Sequence, residues 1–112
     1  MIQCNKGDII FVPYQFTDLT AYKKRPVVVI SPNYYNVGND VIVGFITSNI
    51  SAKVQFGDYH LQDWSDAGLP KPSMFRMKFA TIDRSVIIKK LGIMSNYDLK
   101  QIELKIIDFI KS

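Results

Sequence analysis

Short apolar segments separated by polar turns fill most of the chain, and a different periodicity sets in only toward its end. Asp8–Tyr14 is the first such segment and predicts a strand ended by Pro13. Residues 15–24 are polar and read as a loop. Residues 26–31 form a β-branched run too short for a helix, and Pro26 suits a strand's first residue. Turn signals follow at Pro32-Asn33 and Gly38-Asn39. Asp40–Thr47 predicts the third strand, with Gly44 marking a bulge or a close backbone approach. A short strand fits residues 58–61 around His60, and residues 63–68 could make one helical turn. Residues 73–82 alternate, which places Phe75, Met77 and Phe79 on one face and Arg76 and Lys78 on the other. Residues 85–91 predict a further strand.

After Leu91-Gly92 the spacing changes from two to that of a helix. Ser95 and Asp98 stand three apart, as in a capping box, although the usual partner is Glu or Gln. Leu99, Ile102, Ile106, Phe109 and Ile110 then share one apolar face, and Leu104 with Ile107 widens it beyond what a small barrel needs. The elements together predict a mainly β fold with a C-terminal helix, a small barrel or curled sheet forming a single domain over residues 1–112. Several strands are apolar at consecutive positions, so both of their faces should be covered. One cover would be the barrel core and the other a second subunit, which predicts a homodimer.

Composition narrows the class. With 112 residues there is room for one domain, and an apolar fraction of 47% against 21% charged excludes a disordered tail. One cysteine, Cys4, and one histidine, His60, leave neither an internal disulfide nor the usual zinc spacings. No cofactor is expected. Nothing near Met1 looks like a signal peptide and no run approaches a membrane span, which points to the cytoplasm and away from a membrane partner. The net charge of +4 permits nucleic-acid binding without requiring it.

Three features then remain for chemistry. Lys23, Lys24 and Arg25 precede Pro26, which biases Arg25 toward an extended backbone and projects its guanidinium from the start of a strand. A fixed fork beside flexible lysines suits phosphate, although the same residues also suit a solvated loop end. Thr47, Ser48 and Asn49 close the third strand, where hydroxyls can hold a phosphate or simply make a turn. Arg76 and Lys78 lie side by side on one face, and two such cations repel unless they meet water or an anion. His60 has no carboxylate or thiol at motif spacing and reads as structural.

Taken in order, these pieces resemble the MazF/PemK family of toxin–antitoxin ribonucleases. The matching stretches are Lys6-Gly7-Asp8-Ile9-Ile10-Phe11-Val12, Arg25-Pro26-Val27-Val28-Val29-Ile30-Ser31, Ile46-Thr47-Ser48, Leu69-Pro70-Lys71-Pro72-Ser73-Met74-Phe75-Arg76 and Thr81-Ile82-Asp83. The resemblance implies an SH3-like barrel of the MazF/CcdB type, a homodimer, and metal-independent, sequence-specific cleavage of single-stranded RNA. It also implies Arg25 and Thr47 as catalytic residues, and Ser48 and Arg76 match positions implicated in some members; the neighbouring cations Lys24 and Lys78 join these two as candidate RNA-binding residues. Certain relatives carry an aspartate where this chain has Lys78, so no general base is assigned. A cognate antitoxin is implied as partner; an acidic, partly apolar segment would meet Lys24, Arg25, Arg76 and Lys78, with Tyr22 as an apolar anchor. Two readings from other classes stay open: a CcdB-like protein that binds DNA gyrase without cleaving, and an inactive RNA-binding barrel.

Overall fold

A computed structural model describes residues 2–14, 23–51 and 53–112. Among them, six antiparallel strands form one sheet: β1 (Asp8–Tyr14), β2 (Lys23–Val29), β3 (Asp40–Thr47), β4 (Tyr59–His60), β5 (Met74–Asp83) and β6 (Lys89–Ile93). Their spatial order is β4-β5-β3-β2-β1-β6, a curled half-barrel with β4 and β6 at its edges. One helical turn, α1 (Asn33–Asn36), joins β2 to β3, and the 16-residue helix α2 (Asn96–Lys111) follows β6.

The consecutive apolar positions are explained by two cores on opposite faces of the sheet. Ile9, Val28, Ile46 and Phe75 meet Leu61, Leu69, Met94 and Ile102, so α2 and the segment before β5 cover one face. Ile10, Val12, Val27, Val29, Val41 and Val43 fill the other side, closed by Cys4 and Ile87. Both covers therefore come from this chain, and the second cover expected from another subunit is supplied by α2. Burying a side chain such as Ile102 contributes roughly 1.5–3 kcal/mol, which is why the helix seats on this stripe. Farther along α2 the stripe emerges: Leu104, Ile107, Phe109 and Ile110 are exposed, with Phe109 against the exposed Phe56 at 5.9 Å between ring centroids.

Gly44 has both properties expected of it. The register passes from Gly44↔Phe79 to Phe45↔Arg76, a bulge that leaves Met77 and Lys78 unmatched on β5. A Cβ at Gly44 would enter the Phe75 ring, so this backbone can cross the core only without a side chain.

Four local details differ from the sequence expectations. β2 begins at Lys23 rather than Pro26, because Lys23–Pro26 already pair with β1; of the loop expected at 15–24, residues 15–22 lie outside the described residues. Residues 63–68 make hydrogen-bonded turns, not a helical element, closed by Gly68 at φ 87°. The strand expected at 85–91 starts later, at Lys89. The Asp83 carboxylate accepts from Ser85 N–H at 2.9 Å and starts a 3-10 turn over Arg84–Val86 before the chain re-enters the sheet. That same bond holds the Asp83 carboxyl below the usual range. Finally, Ser95 caps α2 by accepting from Asp98 N–H at 3.1 Å, but the Asp98 carboxylate does not reach back. It turns inward, where it accepts from Tyr59 O–H, Gln62 N–H and Asp63 N–H at 2.6, 3.0 and 2.9 Å. A capping-box spacing has become a buried clamp between α2 and the β4 segment.

Candidate active site

The site begins with a break in the ladder. β2 pairs with β3 from Val27↔Phe45 to Val29↔Val43, and the pairing stops before Pro26, which has no N–H to donate. Continued past that point, the register sets Arg25 opposite Thr47. The residues beyond the last bonded pair thus face each other across an opening rather than a ladder. β3 also pairs with β5, with Phe45↔Arg76 and Thr47↔Met74, which brings the start of β5 to the same end of the sheet.

Two small clefts flank this point, each of about 180 Å³. Arg25, Phe45, Ile46, Thr47, Arg76 and Lys78 line the first. Lys24, Arg25, Thr47 and Ser48 contribute to the second, beside Pro26, Leu69, Pro70 and Ser73. Arg25, Ile46 and Thr47 belong to both and form the shared wall, with Arg25 and Thr47 as its polar members. The six residues given catalytic or RNA-binding roles in the sequence therefore converge: Arg76 and Lys78 on one side, Lys24 and Ser48 on the other. Tyr22, the expected apolar anchor, lies outside the described residues. His60 is exposed on β4 and Cys4 is buried; neither lines either of these two clefts.

Thr47 Oγ1 accepts a 3.1 Å hydrogen bond from Asn49 N–H. The turn after β3 thereby fixes the hydroxyl while leaving its proton to donate. Arg25 and Thr47 are half-buried, whereas Lys24, Ser48 and Lys78 are exposed. Arg76 is more enclosed, with a side chain 14% exposed, and its Nη2 lies 3.8 Å from Asp58 Oδ2. Three cations on one cleft of this size repel one another and favour a bound polyanion. Among the described residues, no three His, Cys, Asp or Glu side chains are gathered to hold a metal ion.

Asp58 was not found from the sequence. β4 pairs Tyr59↔Phe75 and His60↔Met74, and the same register continued by one residue sets Asp58 beside Arg76. The signal was an acidic residue in front of a strand only two residues long, too short to reveal its partner.

Comparisons with known proteins bear on the fold and the family. MazF from Deinococcus radiodurans is 19% identical and superimposes over 100% of both chains with a TM-score of 0.76. A MazE–MazF structure from the same organism gives 18% identity and a TM-score of 0.79, over 99% of this chain and 98% of that one. An endoribonuclease in complex with its cognate antitoxin, from Mycobacterial species, gives 16% and 0.76 over 96% and 95%. At such identities the likeness is one of fold, the same antiparallel half-barrel with a C-terminal helix. No curated protein matches the sequence. The model of the PemK-like, MazF-like toxins of type II toxin–antitoxin systems matches residues 5–110, nearly the whole chain, and the chain belongs to that family.

Proposed function

We propose that this toxin is an endoribonuclease that cuts single-stranded RNA without a metal ion, using the ribose 2′-hydroxyl as nucleophile. The observation that carries the reading is the position of Arg25 and Thr47 on the wall between two cation-lined clefts. A strand of RNA laid across that wall would put one phosphate against Arg25 and its neighbours in the clefts on either side. Arg25 then binds the non-bridging phosphoryl oxygens through its fork, and the Thr47 hydroxyl donates to one of them. Held in line, the 2′-oxygen attacks phosphorus, its proton leaves to solvent or a base, and the departing 5′-oxygen takes up a proton. The products are a 2′,3′-cyclic phosphate and a 5′-hydroxyl. Arginine stays protonated and is a poor base, so Arg25 serves to offset charge and donate hydrogen bonds. Lys24 and Ser48 would hold the chain on one side of the cut, and Arg76 and Lys78 on the other.

The test is incubation of purified protein with a long RNA of mixed sequence, with and without a chelator, followed by mass spectrometry of the ends. Cleavage that survives chelation and leaves 5′-hydroxyls is the expected result. Intact RNA, or cleavage lost with the chelator, would overturn the reading and leave a binding toxin. The relatives solved with an antitoxin support a cognate antitoxin here as well, one that lays acidic and apolar residues over Lys24, Arg25, Arg76 and Lys78 and stops cleavage at equimolar addition.

Dimerisation belongs to the same proposal. Phe56, Leu104, Ile107, Phe109 and Ile110 offer an exposed apolar surface around the end of α2, which a second copy would cover. Sedimentation at micromolar concentration should give a mass of two chains, and a monomer there would refute the dimer.

A further inference from the structure

Asp58 combines three properties that the reaction as described leaves unused. Its side chain is 1% exposed. Its Oδ2 accepts from Gln55 N–H at 2.7 Å and faces Arg76 Nη2 at 3.8 Å, while its Oδ1 is buried with no hydrogen-bond partner among the described residues. A carboxylate in such a place is costly, since burial removes water that only part of its surroundings replaces. A turn can be closed by an uncharged side chain, so closing residues 55–58 does not by itself call for this charge.

The surroundings of Asp58 are built to hold it still. Asp58 N–H donates to Gln55 O at 3.1 Å, and a Cβ at Gly57 would crowd the Met77 side chain. The next pair along, Tyr59↔Phe75, belongs to the sheet. Arg76 is thus faced across the ladder by a fixed negative charge at ion-pair distance but not within a hydrogen bond. The guanidinium is drawn to one place without spending its donors on Asp58.

We propose that Asp58 is a positioning residue for RNA cleavage: it holds Arg76 in the cleft beside Arg25 and Thr47, so that the arginine meets the phosphate already oriented. The proposal rests on the ribonuclease reading of the site. Asp58 is too deeply buried to touch RNA and acts through Arg76. An arginine left to itself samples many rotamers, and fixing it beforehand removes that cost from the transition state. The same carboxylate offsets one of three neighbouring cations, which keeps the cleft from binding RNA equally well in unproductive poses.

The experiment compares wild type, Asp58→Asn, Arg76→Ala and the double variant in kcat and KM on one single-stranded RNA, with thermal midpoints measured alongside. Asp58→Asn keeps an acceptor for Gln55 N–H and removes only the charge. It should lower kcat about tenfold to a hundredfold, the range for a misplaced group near the reaction. KM should stay level or fall, because a negative charge has been taken from beside a polyanion. In the Arg76→Ala background the same change should do nothing further, and Asp58→Glu should recover part of kcat. An unchanged kcat in Asp58→Asn or in Arg76→Ala would overturn the proposal. So would losses that simply add in the double variant, or a loss that follows the thermal midpoint. A wild-type chain that leaves RNA intact refutes the ribonuclease reading itself, whereas an active wild type with an equally active Asp58→Asn refutes only the role of Asp58.

Discussion

Arg25→Ala should lower RNA cleavage by at least about a hundredfold, the usual consequence of removing a donor aimed at developing charge. The fold should hardly notice. Arg25 is half-buried near the start of β2, outside both apolar cores, and such changes usually shift stability by less than about 1 kcal/mol. The expected pattern is therefore a protein with the wild-type circular dichroism spectrum and midpoint that leaves RNA uncut. Thr47→Ala should cost less, about tenfold, since it removes one neutral hydrogen bond and leaves the cations in place. The measurement is initial rate on a defined RNA for both variants beside wild type. A folded Arg25→Ala protein cutting at the wild-type rate would remove Arg25 from the reaction.

The largest effect on stability should come from Asp98→Ala. The carboxylate is 1% exposed and accepts three hydrogen bonds that tie the β4 segment to the first turn of α2. Alanine would leave a tyrosine hydroxyl and two backbone N–H groups without their acceptor. Unpaired groups of this kind cost about 1–3 kcal/mol each, only partly recovered by water, so a loss of about 3 kcal/mol is expected. For a domain of this size that lowers the midpoint by roughly 10–20 °C in a thermal melt. The same clamp has an alkaline signature. Burial, then the hydrogen bond to Asp98, raises the Tyr59 hydroxyl well above its usual value of 10.0. In the unfolded chain Tyr59 loses its proton near pH 10, whereas the folded chain must keep it. Its contribution is thus complete below pH 10 and declines as pH rises beyond that. Tyr59→Phe should flatten this alkaline decline, and an unchanged slope would show that Tyr59 does not cause it.

The two outcomes also mark what the sequence could and could not reveal. Arg25 and Thr47 were visible because each ends or begins a strongly apolar run, and hairpin pairing of neighbouring strands brings such ends together. Arg76 and Lys78 followed from alternation along β5, which holds on either side of the Gly44 bulge. Asp58 was hidden because its partner is set by a two-residue strand, where no periodicity exists to read. Asp98 was seen but misassigned: its spacing from Ser95 fits a helix cap, and only the packing of α2 against the β4 segment turns the carboxylate elsewhere. The late start of β6 had a local cause, the Asp83 cap, which competes with strand formation over the next three residues.

One arrangement in the fold bears on how such a gene can fail. Every residue proposed to meet RNA is encoded before codon 80, yet Ile46 and Phe75, neighbours in sequence of Thr47 and Arg76, belong to the same core cluster as Met94 and Ile102. A reading frame closed early by a stop codon anywhere between codons 84 and 100 would keep all six site residues and lose the floor beneath them. Survivors of overexpression should therefore carry nonsense and frameshift lesions in that stretch as readily as missense changes at Arg25. The genetic target for silencing this toxin is much wider than its active site.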